Sequence, residues 1–401
     1  MKGQIMSITV RYILLQCFFW CLYAFPWSFT AVYLSRCGIS NTGIGLVTGV
    51  SSVLSVILQP ALISVTVKYK CINFKNVLAF SAVIFIIFGA VMLFNKTPEV
   101  TLVSFLVVST LSASVPSVIS IICMEYINSG IPVNFGLARG LGSISYAVLV
   151  FVTGKMVSTL GADVLVPVYI FFSAAWLIVV IIMKMPESNM KKKDNKITVR
   201  ELFRENKEFL PFLAASVLLF MSHFMINGFL IKKITDVGGN SFHLGVSLFI
   251  SAAVELPVMS CIVLIIRRFG IKNIIVICSV FFVLKTIVLL FADDVSAVYV
   301  SQFMQFGAFA IYTPASVYYV NMTLKEKYRA TGQAMTGAAT LGIGSALGNI
   351  TGGAVIDNYD INTMLWFALV FAGAGCGILL VQKILHKNFS IGKAVLRTYR
   401  R

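Results

Sequence analysis

Long apolar runs recur from one end of this sequence to the other, and they constrain its fold more than any other feature. A helix needs about 20 apolar residues to cross the hydrocarbon core of a bilayer, which is about 30 Å thick. We count twelve such runs, at about 11–35, 42–66, 76–94, 100–124, 135–159, 164–184, 209–233, 242–266, 272–291, 296–322, 330–356 and 362–385. Charged residues make up only 12% of the chain, against roughly 25% in soluble domains. The sequence therefore predicts an all-α membrane protein with twelve transmembrane helices, here called spans 1 to 12.

The distribution of basic residues predicts an orientation. With both termini in the cytoplasm, 25 of the 32 Lys and Arg residues fall on the cytoplasmic side and five on the outer side, beside seven acidic residues. This asymmetry follows the positive-inside rule, so we expect a multi-pass protein of the cytoplasmic (plasma) membrane. The same rule explains the net charge of +17, because the basic residues mark the cytoplasmic loops. We therefore do not expect nucleic acid as a partner. Contact between the basic loops and anionic membrane lipids is expected.

One polar segment between spans 6 and 7 divides the chain into two sets of six. Its second part, "ITVRELFREN", is compatible with a short helix on the membrane surface. We predict an N-terminal six-helix bundle over 1–184, a basic cytoplasmic linker over 185–208, a C-terminal six-helix bundle over 209–385 and a basic cytoplasmic tail over 386–401.

The two halves resemble each other in sequence at one place. The stretch "GISNTGIG" (38–45) matches "GGNSFHLG" (238–245) at an offset of 200 residues. Each stretch comes just before the second span of its half. Repeated six-helix halves are typical of transporters whose binding site lies between the halves near the bilayer midplane.

Four titratable side chains lie well inside predicted spans: Arg139 in span 5, His223 in span 7, Glu255 in span 8 and Lys285 in span 9. A charge near the bilayer centre costs about 2.5–3.5 kcal/mol on insertion scales, so such residues usually face a wet cavity or a partner. Arg139 lies about one turn from the end of its span, so snorkelling to the headgroups is the alternative for it. Glu255 is too deep for that, and we interpret it as functional.

Polar and aromatic side chains share helix faces with these charges, because residues three, four and seven positions apart lie on one face. The candidate cavity residues are Trp20 and Tyr23 in span 1 (with Gln16 and Trp27 on the same face), Tyr146 in span 5, Asn227 in span 7, and Gln302 and Gln305 in span 10. Such a lining suits a polar organic solute with an apolar face, for example a sugar, an oligosaccharide or a nucleoside. Helix packing or lipid contact is the alternative for each aromatic residue.

Five stretches carry a resemblance to a known family: "FGLARGLGSISYA" (135–147), "AAVELPV" (252–258), "RRFGIKNIIVICSVFFVLK" (267–285), "SQFMQFGAFAIYTPASVYYV" (301–320) and "ATGQAMTGAATLGIGSALGNITGG" (330–353). The sequence resembles the major facilitator superfamily, and most of all its lactose permease-like oligosaccharide–proton symporters and phenylpropionate-type permeases. This resemblance implies two pseudo-symmetric six-helix bundles. It also implies that Arg139 and Glu255 bind the solute, that Tyr146 replaces a tryptophan that stacks on sugar, and that Lys285 takes part in proton coupling.

The sequence departs from the lactose permease pattern at several of its functional positions. Ile121 stands where that pattern has a sugar-binding acid, and Gln305 and Ala308 stand where it has the histidine and glutamate of proton coupling. Lactose is therefore not the expected substrate. Glu255 is the candidate proton carrier that remains, with Lys285 and His223 as the other candidates for proton coupling.

We therefore predict a secondary active transporter that moves a small polar organic solute by alternating access, with proton symport as the expected coupling. The alternatives are a proton-coupled permease for an aromatic carboxylate, an exporter of a small amphiphile, and a sensor that keeps the fold without transporting. The three histidines have no metal-ligand spacing and no nucleophile–base motif is present, so we expect no enzymatic activity, no catalytic residues, no metal and no cofactor. The expected partners are the small-molecule solute, protons and membrane lipids, and the expected state is a monomer.

Overall fold

The computed structural model describes residues 2–68, 73–131, 133–183 and 199–385, so part of the predicted linker and the predicted tail lie outside the described residues. All regular secondary structure in the described ranges is helical, as the apolar runs predict. The α-helices are α1 (Lys2–Ser28), α2 (Thr30–Arg36), α3 (Asn41–Lys68), α4 (Phe74–Phe94), α5 (Pro98–Asn128), α6 (Phe135–Leu160), α7 (Leu165–Ile182), α8 (Val199–Glu205), α9 (Phe209–Asp236), α10 (Ser241–Ser260), α11 (Ile262–Phe269), α12 (Ile271–Leu290), α13 (Val295–Phe303), α14 (Phe309–Thr323), α15 (Glu326–Gly337), α16 (Ser345–Asn358) and α17 (Ile361–Leu385). Short 3-10 turns cover Ala162–Val164 and Met304–Phe306, and a π-helical segment, Ala338–Gly344, joins α15 to α16.

Eleven helical segments in the described part of the chain are long and apolar enough to cross a membrane. Span 10 is not among them because it is divided: α13 ends at Phe303, and α14 begins only at Phe309. The backbone leaves the helical conformation at Ala308 (φ −84°, ψ −98°), and Gly307 beside it lets the Phe281 ring pack against the break, since a Cβ at that position would overlap this ring. Together, the eleven segments and the divided span account for the twelve predicted spans.

The spans pack as two bundles. The N-terminal bundle contains α1 to α7 and the C-terminal bundle contains α9 to α17, with α3 against α16 and α6 against α10 as the main contacts between them. We call the end of the molecule that holds α8 the linker end, and the opposite end, which holds the α2–α3 and α16–α17 connections, the far end.

The apolar core shows where the two bundles close on each other. At the far end a single cluster joins both bundles, with Leu22 and Phe29 from one and Phe229 and Met364 from the other. The linker-end part of the C-terminal bundle has a separate cluster, which includes Phe212. The bundles are therefore closed on each other at the far end, and no apolar cluster in the described part of the chain joins them at the linker end. We call the region between the facing helices of the two bundles the central space.

The repeated stretches of sequence have the same structural role in both halves. Gly38 and Gly238 have positive φ angles of 78° and 81°, which glycine adopts without strain, and they end α2 and α9. Seven residues later, Gly45 lies against the backbone of α16, and Gly245 lies against the backbone of α6. The echo at an offset of 200 residues thus marks the two places where a helix of one bundle approaches the other bundle most closely.

We expect Gly45→Leu to open the far end. A Cβ at this position would overlap the backbone carbonyl of Asn349 on α16, which cannot rotate away, so the two helices must separate. The distance between spin labels at the far ends of α3 and α16, measured by pulsed EPR in a cysteine-free background, should increase by several ångströms. Gly373→Leu on α17 is the matched control, because a Cβ there meets nothing within 4 Å. An unchanged distance in Gly45→Leu would contradict this view of the closed end.

A polar latch also crosses between the bundles at the far end. The carboxylate of Asp357 on α16 accepts hydrogen bonds from the Asn41 backbone N–H (3.2 Å) and Nδ2 (2.7 Å), and from the Thr42 backbone N–H (2.6 Å) and Oγ1 (2.7 Å). This position is the N-terminus of α3, where the helix dipole stabilises a negative charge. Asp357 therefore caps a helix of the opposite bundle and holds the far end closed.

We expect Asp357→Ala to shift the molecule toward a conformation that is open at the far end. Replacing a helix cap by alanine costs about 0.5–2 kcal/mol, which changes a two-state population by about two- to thirtyfold. The same EPR distance would report the shift. Asp360→Ala is the matched control, since Asp360 accepts from the Thr363 backbone N–H at 2.6 Å within its own bundle and has no hydrogen bond to the other bundle among the described residues. Equal behaviour of the two variants would show that Asp357 is not a latch.

The helix α8 is attached to the C-terminal bundle. Leu202 is fully buried in its core, and Lys325 at the start of α15 donates to the Glu205 carboxylate at 2.8 Å. That hydrogen bond lowers the pKa of Glu205 to about 2, so the carboxylate is ionised at physiological pH. Tyr328 donates to Glu201 at 2.8 Å in the same cluster. The described part of the linker is therefore packed against one bundle.

Candidate functional site

Arg139 lies one turn into α6 and is held inside the N-terminal bundle. Its guanidinium carbon lies 3.8 Å from the centre of the Trp20 ring, and one terminal nitrogen donates to Ser143 Oγ. The guanidinium also interacts electrostatically with Glu255 of the other bundle. A cation over the face of an aromatic ring is most stabilising where water is excluded. The side chain therefore points toward the space between the bundles and does not snorkel.

The Trp20 ring is itself fixed by a chain of neutral hydrogen bonds. Trp20 Nε1 donates to Gln16 Oε1 at 3.0 Å, and Gln16 Nε2 donates to the Tyr12 hydroxyl at 2.9 Å. The Tyr12 hydroxyl donates to the backbone carbonyl of Ile119 on α5 at 3.1 Å. Gly142, one turn after Arg139, leaves room for the indole, since a Cβ there would lie 2.7 Å from its Cδ1.

The rest of the N-terminal half of the site is aromatic. Tyr23 stacks on Trp27 with ring centroids 5.6 Å apart and an angle of 11° between the planes. Trp27 Nε1 donates to Ser112 Oγ at 3.2 Å, and the hydroxyls of Tyr146 and Ser28 are hydrogen bonded at 2.7 Å. All three rings are half-buried, and the polar edges of Trp27 and Tyr146 are fixed by these hydrogen bonds. This half offers apolar faces together with hydroxyl groups.

The break in span 10 brings a polar side chain into the C-terminal half of the site. Gln305 lies in the 3-10 turn, where its Oε1 accepts from Lys285 Nζ at 2.7 Å and its Nε2 donates to Glu255 Oε1 at 3.5 Å. Lys285 is only 2% exposed, whereas Glu255 is partly accessible. Among the described residues no direct ion pair joins Glu255 to Lys285 or to Arg139. Gln305 therefore bridges a cation and a carboxylate without bringing them together.

His223 and Asn227 form the edge of this half, on α9. The imidazole of His223 stacks on the Phe309 ring with centroids 4.8 Å apart and 6° between the planes. Asn227 Nδ2 lies 2.9 Å from His223 Nε2. The histidine is buried, whereas Asn227 is partly accessible. Of the two, Asn227 is the better placed to reach a solute.

The structure thus gathers the predicted residues into two facing groups, with one exception. Gln302 is fully buried on α13, and its amide donates only to the neighbouring Ser301 Oγ, at 3.3 Å. This position favours a role in packing. Lys233 also differs from its expected place in an outer loop, because it is 4% exposed within α9 and donates to Asp236 and Asn362.

Two polar members of the site were not selected from the sequence. Tyr12 lies four residues before Gln16, so helical spacing was a usable signal for it. Ser28 lies at the end of α1, just before the break to α2, and its bond to Tyr146 had no sequence signal.

The charges that meet in the site do not cancel. Counted by their ordinary charges, Arg139 and Lys285 are cations, Glu255 is the carboxylate that interacts with both, and the other side chains described above are uncharged, with His223 counted as neutral. A site with this balance can bind hydroxyl and amide groups, can stack on a planar group, and can accept one negative charge. Its polar groups come from both bundles, so relative movement of the bundles would disassemble it.

Comparisons with known proteins place these features among membrane transporters. The sequence profile of the MFS_1 like family matches residues 9–367. An uncharacterized transporter of Bacillus subtilis (strain 168), YwbF, is 25% identical over 258 residues, which cover 64% of this chain and 64% of that relative. A maltose permease of Geobacillus stearothermophilus is 22% identical over 250 residues, or 62% of this chain and 63% of that relative. These matches span less than two thirds of either relative's length.

Two solved structures have a similar fold. The nucleoside transporter NupG has a TM-score of 0.81 and 20% identity, over 95% of this chain and 100% of NupG. A bacterial homolog of the human lysosomal transporter Spinster, in an inward-facing and unoccupied conformation, has a TM-score of 0.70 and 13% identity, over 96% of this chain and 98% of that one. At such identities the likeness concerns the fold alone, and it confirms the predicted arrangement of two six-helix bundles.

Proposed function

Because this chain belongs to the MFS_1 like family, and so to the major facilitator transporters, we propose that it carries a small polar organic solute by alternating access with proton symport. The observation that carries this proposal is the pair of half-sites that face each other across the central space. Arg139, Trp20 and Tyr146 line one side, and Glu255 and Gln305 line the other. A solute bound to both halves would be released when the bundles rock apart.

The solute that this lining suits best is a nucleoside or a sugar. A planar base or an apolar sugar face packs against the Tyr23 and Trp27 rings, and ribose or sugar hydroxyls bond to Asn227, Gln305 and Glu255. Two of the similar proteins are a nucleoside transporter and a maltose permease, and nucleosides and maltose share a polyhydroxylated ring. That shared chemistry supports the proposal.

An aromatic carboxylate is the second candidate, because the site contains two cations and one carboxylate. Arg139 binds a carboxylate in bidentate fashion, and the aromatic residues of α1 would take the ring of such a solute. The panel of solutes tested must therefore include an acid of this kind. Neither candidate requires a metal or a cofactor.

The proposed coupling uses Glu255 as the proton carrier. It is partly accessible, it lies between two cations, and it is the carboxylate that faces the central space among the described residues. Lys285 and His223 would set the electrostatic surroundings of that proton. We further propose that the protein acts as a monomer in the cytoplasmic membrane with both termini in the cytoplasm, so that the linker end faces inward.

The test is uptake by purified protein in liposomes of defined lipid composition. Uridine, maltose and 3-phenylpropionate would be offered with an imposed inward proton gradient, with the gradient collapsed, and in counterflow without a gradient. The proposal expects accumulation of at least one solute that depends on the gradient, and counterflow of the same solute. Flux in neither mode for any of them would favour a sensor, and proton-driven flux in the outward direction would favour an exporter.

A further inference from the structure

Among the described residues of the N-terminal bundle, no carboxylate forms an ion pair with Arg139. Helix α5 holds two acids, Glu99 in its first turn and Glu125 near its other end, and neither is paired with Arg139. Glu255 belongs to the opposite bundle. An arginine side chain has many rotamers, and fixing one of them on binding costs conformational entropy. This cost lowers the affinity for a solute unless the protein already holds the side chain in one rotamer. Something other than an ion pair must therefore hold the guanidinium in place.

The Trp20 ring face supplies that support. The guanidinium carbon lies 3.8 Å above the ring centre, and Gly142 lets the indole lie close against α6. A guanidinium that lies over a ring face is restricted on that side, and it keeps hydrogen-bond donors that can reach past the edge of the ring. Because the ring is neutral, the positive charge stays available to a solute or to Glu255.

The Trp20 indole could itself rotate about its side-chain bonds if no hydrogen bond held its N–H edge. Its N–H is fixed by Gln16, which is 3% exposed, and Gln16 is fixed by Tyr12, which is fully buried. This chain ends on the Ile119 carbonyl, a backbone atom in the middle of α5. The indole N–H needs an acceptor, and a flipped amide would place its own donors against it, so the glutamine has a single favourable amide orientation.

From this geometry we infer that Gln16 is a positioning residue for solute recognition. Together with Tyr12 it fixes the Trp20 indole, and the indole in turn holds Arg139 toward the central space in place of an acidic partner. Trp20 thus serves the site mainly through Arg139, which leaves the Tyr23 and Trp27 rings for stacking on the solute. The inference about affinity rests on the proposed function, whereas the inference about Arg139 does not.

The first experiment reports on Arg139 without any solute. Phenylglyoxal modifies accessible arginines, and peptide mass spectrometry gives the rate at Arg139 separately from the others. We expect Gln16→Met and Trp20→Leu to raise this rate several-fold. Gln16→Met should add nothing in a Trp20→Leu background, because both changes act through the same ring.

The matched control is Gln59→Met. Gln59 is a second N-terminal-bundle glutamine that makes two hydrogen bonds, to the Ala113 carbonyl at 3.3 Å and from Ser117 at 3.0 Å, away from Arg139. Gln59→Met should leave the rate of phenylglyoxal modification at Arg139 unchanged. Thermal unfolding of Gln16→Met and Gln59→Met should show that each variant remains folded. An unchanged rate in folded Gln16→Met, or additive effects in the double variant, would overturn the positioning role.

The second experiment uses the solute among uridine, maltose and 3-phenylpropionate that the liposomes accumulate. Gln16→Met should raise KM about tenfold with the maximal rate changed less than twofold, and Gln59→Met should change neither. An equal loss of maximal rate in both variants would contradict the inference. If the modification rates agree with the inference and none of the three solutes is carried, the proposed function fails while the positioning of Arg139 stands.

Discussion

Arg139→Gln is expected to weaken solute binding at least about 100-fold while the protein stays folded. A hydrogen bond from a charged group contributes about 1.5–3 kcal/mol, and a guanidinium can donate two such bonds to one solute group. The variant also loses the electrostatic interaction between the guanidinium and Glu255 across the central space. Arg139→Lys should recover little, because an ammonium provides neither the planar surface for the Trp20 ring nor the bidentate donors.

Binding can be measured by thermal stabilisation of the detergent-purified protein. A ligand at about 100 times its Kd stabilises the native state by about 2.7 kcal/mol, and this stabilisation should disappear in Arg139→Gln. Arg36→Gln is the matched control, because Arg36 lies at the far end with 64% of its side chain exposed. If Arg139→Gln binds the solute with wild-type affinity, Arg139 does not belong to the proposed site. The half-site in the N-terminal bundle would then have no charged group.

Glu255→Gln is expected to abolish accumulation driven by a proton gradient and to preserve counterflow. The amide cannot take up or release a proton, so the carrier no longer couples solute movement to the gradient. It keeps the size of the carboxyl group and can still hydrogen bond to Gln305 and to a solute. Exchange across the membrane, which needs binding and rocking but no net proton movement, should therefore continue.

Gradient-driven uptake should fall about tenfold or more, to the level reached with the gradient collapsed, since the proton is the coupled ion in this proposal. Glu125→Gln is the matched control: Glu125 is a 7% exposed carboxylate near the linker end of α5, outside both half-sites. Full accumulation that still depends on pH in Glu255→Gln would rule out Glu255 as the proton carrier. Loss of counterflow as well would indicate that the residue acts mainly in solute binding.

The bridge from Lys285 through Gln305 to Glu255 shows how this site departs from the lactose permease pattern. An amide replaces a titratable histidine, so a proton cannot pass along the bridge as it would through an imidazole. The Gln305 amide instead accepts a hydrogen bond from the Lys285 ammonium on one side and donates one to the Glu255 carboxylate on the other. A proton would therefore reach Glu255 directly from the central space, on which the carboxylate has a partly accessible surface.

Several features of this protein were determined by the sequence alone. The length of an apolar run fixes whether a helix can cross a bilayer, and this property does not depend on tertiary contacts. The free-energy cost of a charged side chain in hydrocarbon also depends on the residue itself and on its depth in the span. Arg139, Glu255 and Lys285 could therefore be predicted to face the protein interior before the fold was known. The echo between Gly38 and Gly238 was visible because both positions need the same backbone conformation.

The partners of these residues were decided only by the tertiary structure. In a membrane protein both the lipid-facing and the packed sides of a helix are apolar, so the sequence pattern does not say how a helix is rotated against its neighbours. This is why Gln302 and Gln305, which share a predicted face and are both buried, have different partners: Gln302 donates to the neighbouring Ser301, whereas Gln305 bridges two charges. The Trp20 ring over Arg139 and the Asp357 latch on α3 join residues more than 100 positions apart. Such contacts depend on how helices pack together, which a local sequence pattern does not specify.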